Sequence, residues 1–369
     1  MLTPLRPYML ELTAERLAKA LRAKHIPKLD GLRALSALLV MLYHFGYPIP
    51  AGFGVTCFFV ISGFLITWLL LEERDKTGGT SLKGFYIRRA FRIFPAFYVY
   101  WALSVAYKVI WHRPLLWGQA VSSFFYVCNY YQGLNAYPES GFSRTWSLGV
   151  EEQFYLLWPF LFMKLREPRQ LLRVLLGIIA AIWVYRLGLY FAGVHEYYLY
   201  TAFECRADSI FVGCALAVAL RQRLLDAWVG RLCRHWTRLL VTVGCLGLSL
   251  VFHHAYGSNY RDPIAHLVEP VLFAILIVQM IGIQWRPLEL LDARPVRFLG
   301  LISYSTYLYH GVVPIPASAP VVLKLIPAYV MAAGSYLGVE KPFLRLRDVW
   351  FSRYRPEPQK KALSTAASA

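Results

Sequence analysis

The sequence predicts an all-α protein, a polytopic integral membrane helical bundle of about ten transmembrane helices. Three observations carry that reading. Charged residues make up 16% of the 369 positions, against about 25% in soluble domains. Hydrophobic residues make up 57%, and the mean hydropathy is +0.44. Apolar runs of roughly 15–20 residues recur along the chain, the length that crosses a bilayer as a helix.

The elements follow in order. Residues 1–27 are too charged for a secretory signal. They set Met9, Leu10, Leu17 and Leu21 among Arg16, Lys19, Arg22 and Lys24, the pattern of an amphipathic cytoplasmic arm. Spans are expected at about 32–50, 54–71, 91–110, 146–164, 172–192, 209–221, 239–255, 267–285, 298–314 and 320–338. Together they form a membrane domain over 28–347. The polar residues 348–369 are read as a disordered cytoplasmic tail, with no soluble catalytic domain expected at either end.

The uncharged segment 114–138 is long enough to cross as well, and charge bias decides against it. The net charge is +18. If 114–138 does not cross, 31 of the 39 Lys and Arg fall on one side, the side that stays in the cytoplasm. Both termini then lie there too. If it crosses, the later basic loops are stranded outside. Its polar "CNYYQGLN" end also cannot face lipid, so the segment reads as re-entrant or as a packed outer loop. The same argument assigns the basic balance to topology rather than to nucleic acid. The six cysteines form no CxxC pair and read as small core residues, with no metal site.

Within this frame a few ionisable residues stand out. "GLRALSALLVMLYHFGYPIP" opens with Arg33 and carries His44 deep in its apolar run. Eleven residues at about 100° each return to nearly the same helix face, about 16 Å further along the axis. Arg33 at the cytoplasmic mouth and His44 within suit a long anionic ligand whose reactive end points inward. "GFYIRRAFRIFPAFY" clusters Arg88, Arg89 and Arg92 where the third span enters, and guanidinium groups suit phosphate. "SRTWSLGVEEQFYLLWPF" sets Glu151 and Glu152 in the first turns of the fourth span. Adjacent residues point about 100° apart, so one is placed to orient a buried imidazole and the other to meet solvent or a second partner. A structural salt bridge is the alternative.

Further signals are weaker. Asp208 is expected to cap a helix, His310 to lie in the outer half of the ninth span, and Glu340 to end the tenth. His195, His253, His254 and His266 sit near outer loops and are expected to be solvated. No Walker loop, GxGxxG, HExxH or GxSxG motif occurs.

Seven stretches occur in order: "KLDGLRALSALLVMLYH", "GVTCFFVISGFLIT", "YIRRAFRIFP", "WSLGVEEQFYLLWP", "RADSIFVGCALA", "ISYSTYLYH" and "VEKP". This set resembles the acyltransferase 3 family of integral membrane acyl transferases over roughly residues 28–347. The resemblance implies transfer of an acyl group, usually acetyl, from cytosolic acyl-CoA to a hydroxyl of a cell-surface or lipid-linked glycan. In some members the acceptor is a small molecule such as a macrolide. The family's Arg-x10-His pattern falls on Arg33 and His44, with His44 catalytic. Its Arg-x-x-Arg pattern falls on Arg89 and Arg92, and the acidic position of its "WSL-vE" motif on Glu151.

Acyl-CoA is then the expected co-substrate, with no bound cofactor. Its phosphates meet Arg33, Arg88, Arg89 and Arg92, and its thioester reaches His44, which acts either as general base or as acyl carrier. Glu151 is expected beside His44, while Trp146, Ser147, Glu152 and Tyr155 are expected to line the acceptor pocket. A transporter of an anionic substrate is the competing class, and a non-catalytic membrane sensor is the third. One departure from the family is a short stretch of 29 residues between His310 and Glu340, which predicts a tight hairpin around "PIPASAP".

Overall fold

The structure is a computed structural model that describes residues 15, 17, 19–21, 26–312 and 319–353. Most of the amphipathic arm, most of the tail and positions 313–318 of the expected hairpin lie outside the described residues. All described regular structure is helical. In chain order the helices are α1 Pro27–His44, α2 Ala51–Thr77, α3 Leu82–Ile110, α4 Trp117–Phe124, α5 Cys128–Leu134, α6 Trp146–Lys164, α7 Pro168–Phe191, α8 Glu196–Thr201, α9 Phe203–Arg221, α10 Asp226–Leu232, α11 Thr237–Tyr256, α12 His266–Gly282, α13 Arg294–Leu301, α14 Ser303–Tyr309, α15 Val321–Ser335 and α16 Lys341–Arg353.

Six described helical stretches are long and apolar enough to cross a membrane: Gly52–Thr77, Leu82–Ile110, Pro168–Phe191, Thr237–Tyr256, Ser258–Gly282 and Val321–Phe351. The other four expected spans are helical but differ in character. α1 carries Lys28, Asp30 and Arg33. α6 carries Glu151, Glu152 and Lys164. α9 carries four charged residues in its 19. The ninth is broken at Ile302 into α13 and α14.

The 114–138 segment folds into α4 and α5, of eight and seven residues, each too short to cross. Its buried amide side chains are satisfied within the bundle. Gln119 Nε2 donates to Gln132 Oε1 (2.7 Å), and Gln153 Nε2 of α6 donates to Asn129 Oδ1 (2.9 Å). Thr201 Oγ1 donates to the Asn129 carbonyl (2.7 Å). Buried amides need such partners, and the polar side of this stretch finds them by packing against α6 and α8.

The frame of the bundle is the α2–α9 crossing, the most extensive helix contact in the molecule. A Cβ at Gly63 would overlap the Ile210 carbonyl, and a Cβ at Gly213 the Val60 carbonyl. The two glycines therefore bring the backbones into direct contact, the small-residue packing that drives helix association in lipid. α1 leans on the same frame, because a Cβ at Gly54 would stand 2.6 Å from the Ser36 carbonyl. Two apolar cores flank this spine. One gathers α3, α6 and α9 around Phe97, Phe154 and Trp158. The other gathers α1, α2 and α12 around Phe64, Ile277 and Leu29.

Asp208 is not a cap. α9 begins at Phe203, five residues earlier than Asp208, and the carboxylate is buried in an ion pair with Arg186 Nη1 (2.6 Å). Both side chains are almost fully enclosed, so Asp208 ties α9 to α7 inside the bundle.

Candidate active site at the ends of the first helix

α1 positions two clusters, one at each end. At its start, Arg33 points into the bundle and lies in electrostatic range of Arg92, Asp30, Glu151 and Tyr155. Arg89 stacks over the Tyr155 ring at 5.4 Å and faces Glu152 and Arg92. Glu151 accepts from Ser62 Oγ of α2 (2.7 Å) and sits between Arg33 and Arg89. Glu340, buried at the junction of α15 and α16, accepts from Ser305 Oγ (2.5 Å) and faces Arg92 and Arg33. Three arginines and three carboxylates thus converge from α1, α3, α6 and the end of α15. Arg88 parts from them, because its guanidinium pairs with Glu73 Oε2 (2.7 Å) and rests on the Phe351 ring.

At the far end of α1 stands an imidazole pair. His44 Nδ1 lies 2.8 Å from the Val40 carbonyl, one turn back, and 3.2 Å from His310 Nε2. The two rings are 4.8 Å apart between centroids. His310 Nδ1 lies 2.8 Å from the Tyr307 carbonyl. A nitrogen facing a carbonyl must carry the hydrogen. His310 therefore donates from Nδ1 and accepts at Nε2, and His44 shares its Nδ1–H between Val40 and His310. That assignment leaves the lone pair of His44 on Nε2.

His44 borders a cleft of about 480 Å³. The walls combine aromatic rings (Tyr43, Tyr47, Tyr137, Trp146, Tyr197, Tyr200 and Tyr307) with the ionisable side chains Arg144, Glu196, Arg261 and Glu269. Tyr307 OH donates to the Arg144 carbonyl (2.8 Å) and accepts from Ser147 Oγ (2.6 Å). Trp146 packs edge-on to Phe59 and tilts against Tyr200 at 4.8 Å. A nitrogen with a free lone pair at the edge of a polar, aromatic-walled cleft is placed to take a proton from a hydroxyl.

Several expected placements change. Glu151 does not bond His44: its hydrogen bond goes to Ser62, and the imidazole is held by Val40 and His310. Glu152 and Tyr155 belong to the arginine end, whereas Trp146 and Ser147 stand on the cleft side of α6. His253 and His266 are not solvated. His253 Nε2 is 2.8 Å from Glu269 Oε1, which also accepts from Ser249 Oγ (2.6 Å). His266 is buried, 3.9 Å from Asp262. Both line the cleft, His253 from the end of α11 and His266 from the start of α12, where the two helices meet at the turn around Gly257.

The fold and the site define a multi-pass membrane protein whose polar interior has two centres, one rich in arginine and one built on paired imidazoles. The chain belongs to the acyltransferase 3 family: the family's "Acyltransferase domain" model matches residues 26–336. It is 32% identical over 352 residues to the peptidoglycan O-acetyltransferase OatA of Listeria monocytogenes, covering 86% of this chain and 56% of that protein. It is 30% identical to the putative peptidoglycan O-acetyltransferase YrhL of Bacillus subtilis, covering 86% of this chain and 55% of that one. It is 27% identical to O-acetyltransferase OatA of Staphylococcus aureus, covering 94% of this chain and 61% of that protein. The chain thus spans little more than half the length of the curated relatives it matches. No solved structure matches the chain significantly.

Proposed function

We propose that this protein moves an acetyl group from cytosolic acetyl-CoA to a hydroxyl of a glycan on the other side of the membrane, with peptidoglycan the first acceptor to test. The relatives' names supply the acceptor class, and the basic residues counted above supply the orientation. The observation that carries the reading is the placement of His44 Nδ1 against the Val40 carbonyl and His310 Nε2. The Nδ1–H of His44 is committed to Val40 and His310, so Nε2 is free to act.

The residues divide the work. Arg33, Arg89 and Arg92 take the phosphates of the donor, and their carboxylate neighbours Glu151 and Glu340 keep three clustered cations compatible with burial when the donor is away. The acyl arm follows α1 toward His44. The acceptor sugar stacks on the aromatic walls of the cleft, an arrangement that aligns a hydroxyl without a charged anchor. His44 Nε2 removes the hydroxyl proton as the oxygen attacks the thioester carbonyl, and returns a proton to the departing CoA sulfur. His310 is a positioning residue.

The test uses the purified full chain in proteoliposomes, with labelled acetyl-CoA outside and soluble peptidoglycan fragments within. Labelled ester should form inside, and His44→Ala should lower transfer by about 10²–10⁴-fold without loss of protein. Transfer retained by His44→Ala refutes the reading. Uptake of label without ester formation favours a transporter.

A further inference from the structure

We propose that Arg144 binds the oxyanion of the transfer reaction, holding the carbonyl oxygen of the acyl group beside His44. This rests on the acyl-transfer reading above. Arg144 lies on the 3-10 turn Ser143–Thr145 that leads into α6. Its carbonyl is pinned by Tyr307 of α14, which Ser147 of α6 holds in turn. The backbone at 144 is thereby fixed to both the helix that carries His310 and the helix that carries the acidic pair. The side chain reaches the dyad. Its Nη1 fills the space in which a Cβ at Gly311 would stand, directly after His310. Arg144 lies within electrostatic range of both His44 and His310, and it lines the same cleft as His44.

Of the two arginines that line the cleft, Arg144 is the one that lacks an anion among the described residues. Arg261, the other arginine of the cleft, is paired with Glu196 (3.0 Å) and Asp262 (2.7 Å). Arg186 is paired with Asp208. Arg144 has no carboxylate within 4 Å among the described residues, and its buried Nε has no hydrogen-bond partner. An unmatched buried N–H is costly, and it is repaid where negative charge appears only during the reaction. Fixed donors aimed at such charge are the largest single contribution in acyl transfer. A donor-phosphate role fits less well, because Arg33, Arg89 and Arg92 gather near the start of α1, and Arg33 lies eleven residues, about 16 Å of helix, from His44.

The step balances. The acceptor oxygen attacks the thioester carbon, and its proton passes to His44 Nε2. The carbonyl electron pair moves onto oxygen, where the guanidinium N–H groups hold it. Collapse expels the CoA sulfur, which takes the proton from His44, leaving an ester and a free thiol.

The experiment measures acetyl transfer and acetyl-CoA binding by the reconstituted full chain. Arg144→Met should lower kcat by about 10²–10³-fold and leave donor binding within twofold. Arg144→Gly should regain activity with added guanidinium, and Gly311→Ala should lower kcat by displacing the Arg144 side chain. A normal kcat in Arg144→Met overturns the proposal. So does a loss confined to donor binding, which would make Arg144 a phosphate ligand. If Arg144→Met fails to fold, Gly311→Ala and guanidinium rescue of Arg144→Gly decide, and absence of both effects overturns it. The His44→Ala control separates the two readings. If wild type transfers acetyl and His44→Ala does not, a normal Arg144→Met removes only the role of Arg144.

Discussion

Replacing His310 with alanine tests how His44 is held. In the native site the Nδ1–H of His44 has two acceptors, the Val40 carbonyl at 2.8 Å and His310 Nε2 at 3.2 Å. The substitution removes the longer one and leaves the shorter. The imidazole keeps its tautomer, because Val40 still demands a hydrogen on Nδ1, but it is oriented from one point instead of two. A hydrogen bond of this kind contributes about 1–1.5 kcal/mol. At 1.36 kcal/mol per decade of rate, kcat should fall about five- to tenfold. The loss of the base itself costs about 10²–10⁴-fold, so the two variants should be clearly separated. KM for acetyl-CoA should stay within twofold, since His310 stands away from the arginine end. His310→Gln, whose amide oxygen can accept the same hydrogen, should recover part of the rate. The assay is initial-rate kinetics in proteoliposomes, with thermal unfolding in detergent to confirm that each variant is folded. If His310→Ala is as inactive as His44→Ala, His310 touches the reacting atoms and the positioning role is refuted. If it is fully active, the contact with His310 does not orient His44 and the positioning role is likewise refuted.

Two further outcomes probe the other end of α1. Arg89→Ala removes a guanidinium that faces the interior beside Tyr155. It should raise KM for acetyl-CoA about tenfold or more with little change in kcat, because a charge-assisted hydrogen bond contributes about 1.5–3 kcal/mol. Glu151→Gln keeps the shape that accepts from Ser62 but strips Arg33 and Arg89 of a shared counter-charge. It should destabilise the folded protein by about 3 kcal/mol, read as a lower midpoint in detergent unfolding, without changing the pH dependence of transfer. A changed pH profile would return Glu151 to the side of His44.

Much of the frame was legible along the chain. The helix expected at 146–164 is Trp146–Lys164. The common helix of Arg33 and His44 follows from spacing alone. The polar end of 114–138 signalled that the segment packs against protein. What spacing does not reveal is which side chains meet across the bundle. His310 is 266 residues from His44 in sequence, and a lone imidazole on an apolar helix gives no hint of a second ring opposite. Glu151 was placed beside the base because carboxylates often orient imidazoles. Arginines on α1 and α3 compete for it more strongly, and they sit at the other end of α1. Asp208 reads as a cap until Arg186 on a neighbouring helix is seen to need an anion. His253 and His266 read as solvated until Glu269 and Asp262 are seen beside them inside the bundle. Arg144 gave no signal, since one arginine in an outer loop is ordinary.

The glycine contacts that join α1, α2 and α9 have a consequence for where the protein can work. The position of His44 is handed down through Ser36 against Gly54 and through Gly63 and Gly213 against facing carbonyls. None of these contacts carries a charge. Their strength comes from contact between close-packed atoms, which dissolved ions do not screen, unlike the pairs at exposed surfaces. The cytosol and the cell exterior can differ widely in salt and acidity, and the exterior can change within minutes. The backbone seat of the base is thereby insulated from dissolved salt, so ionic strength can reach the reaction through the substrates and the surface charges but not by loosening the helix that carries His44.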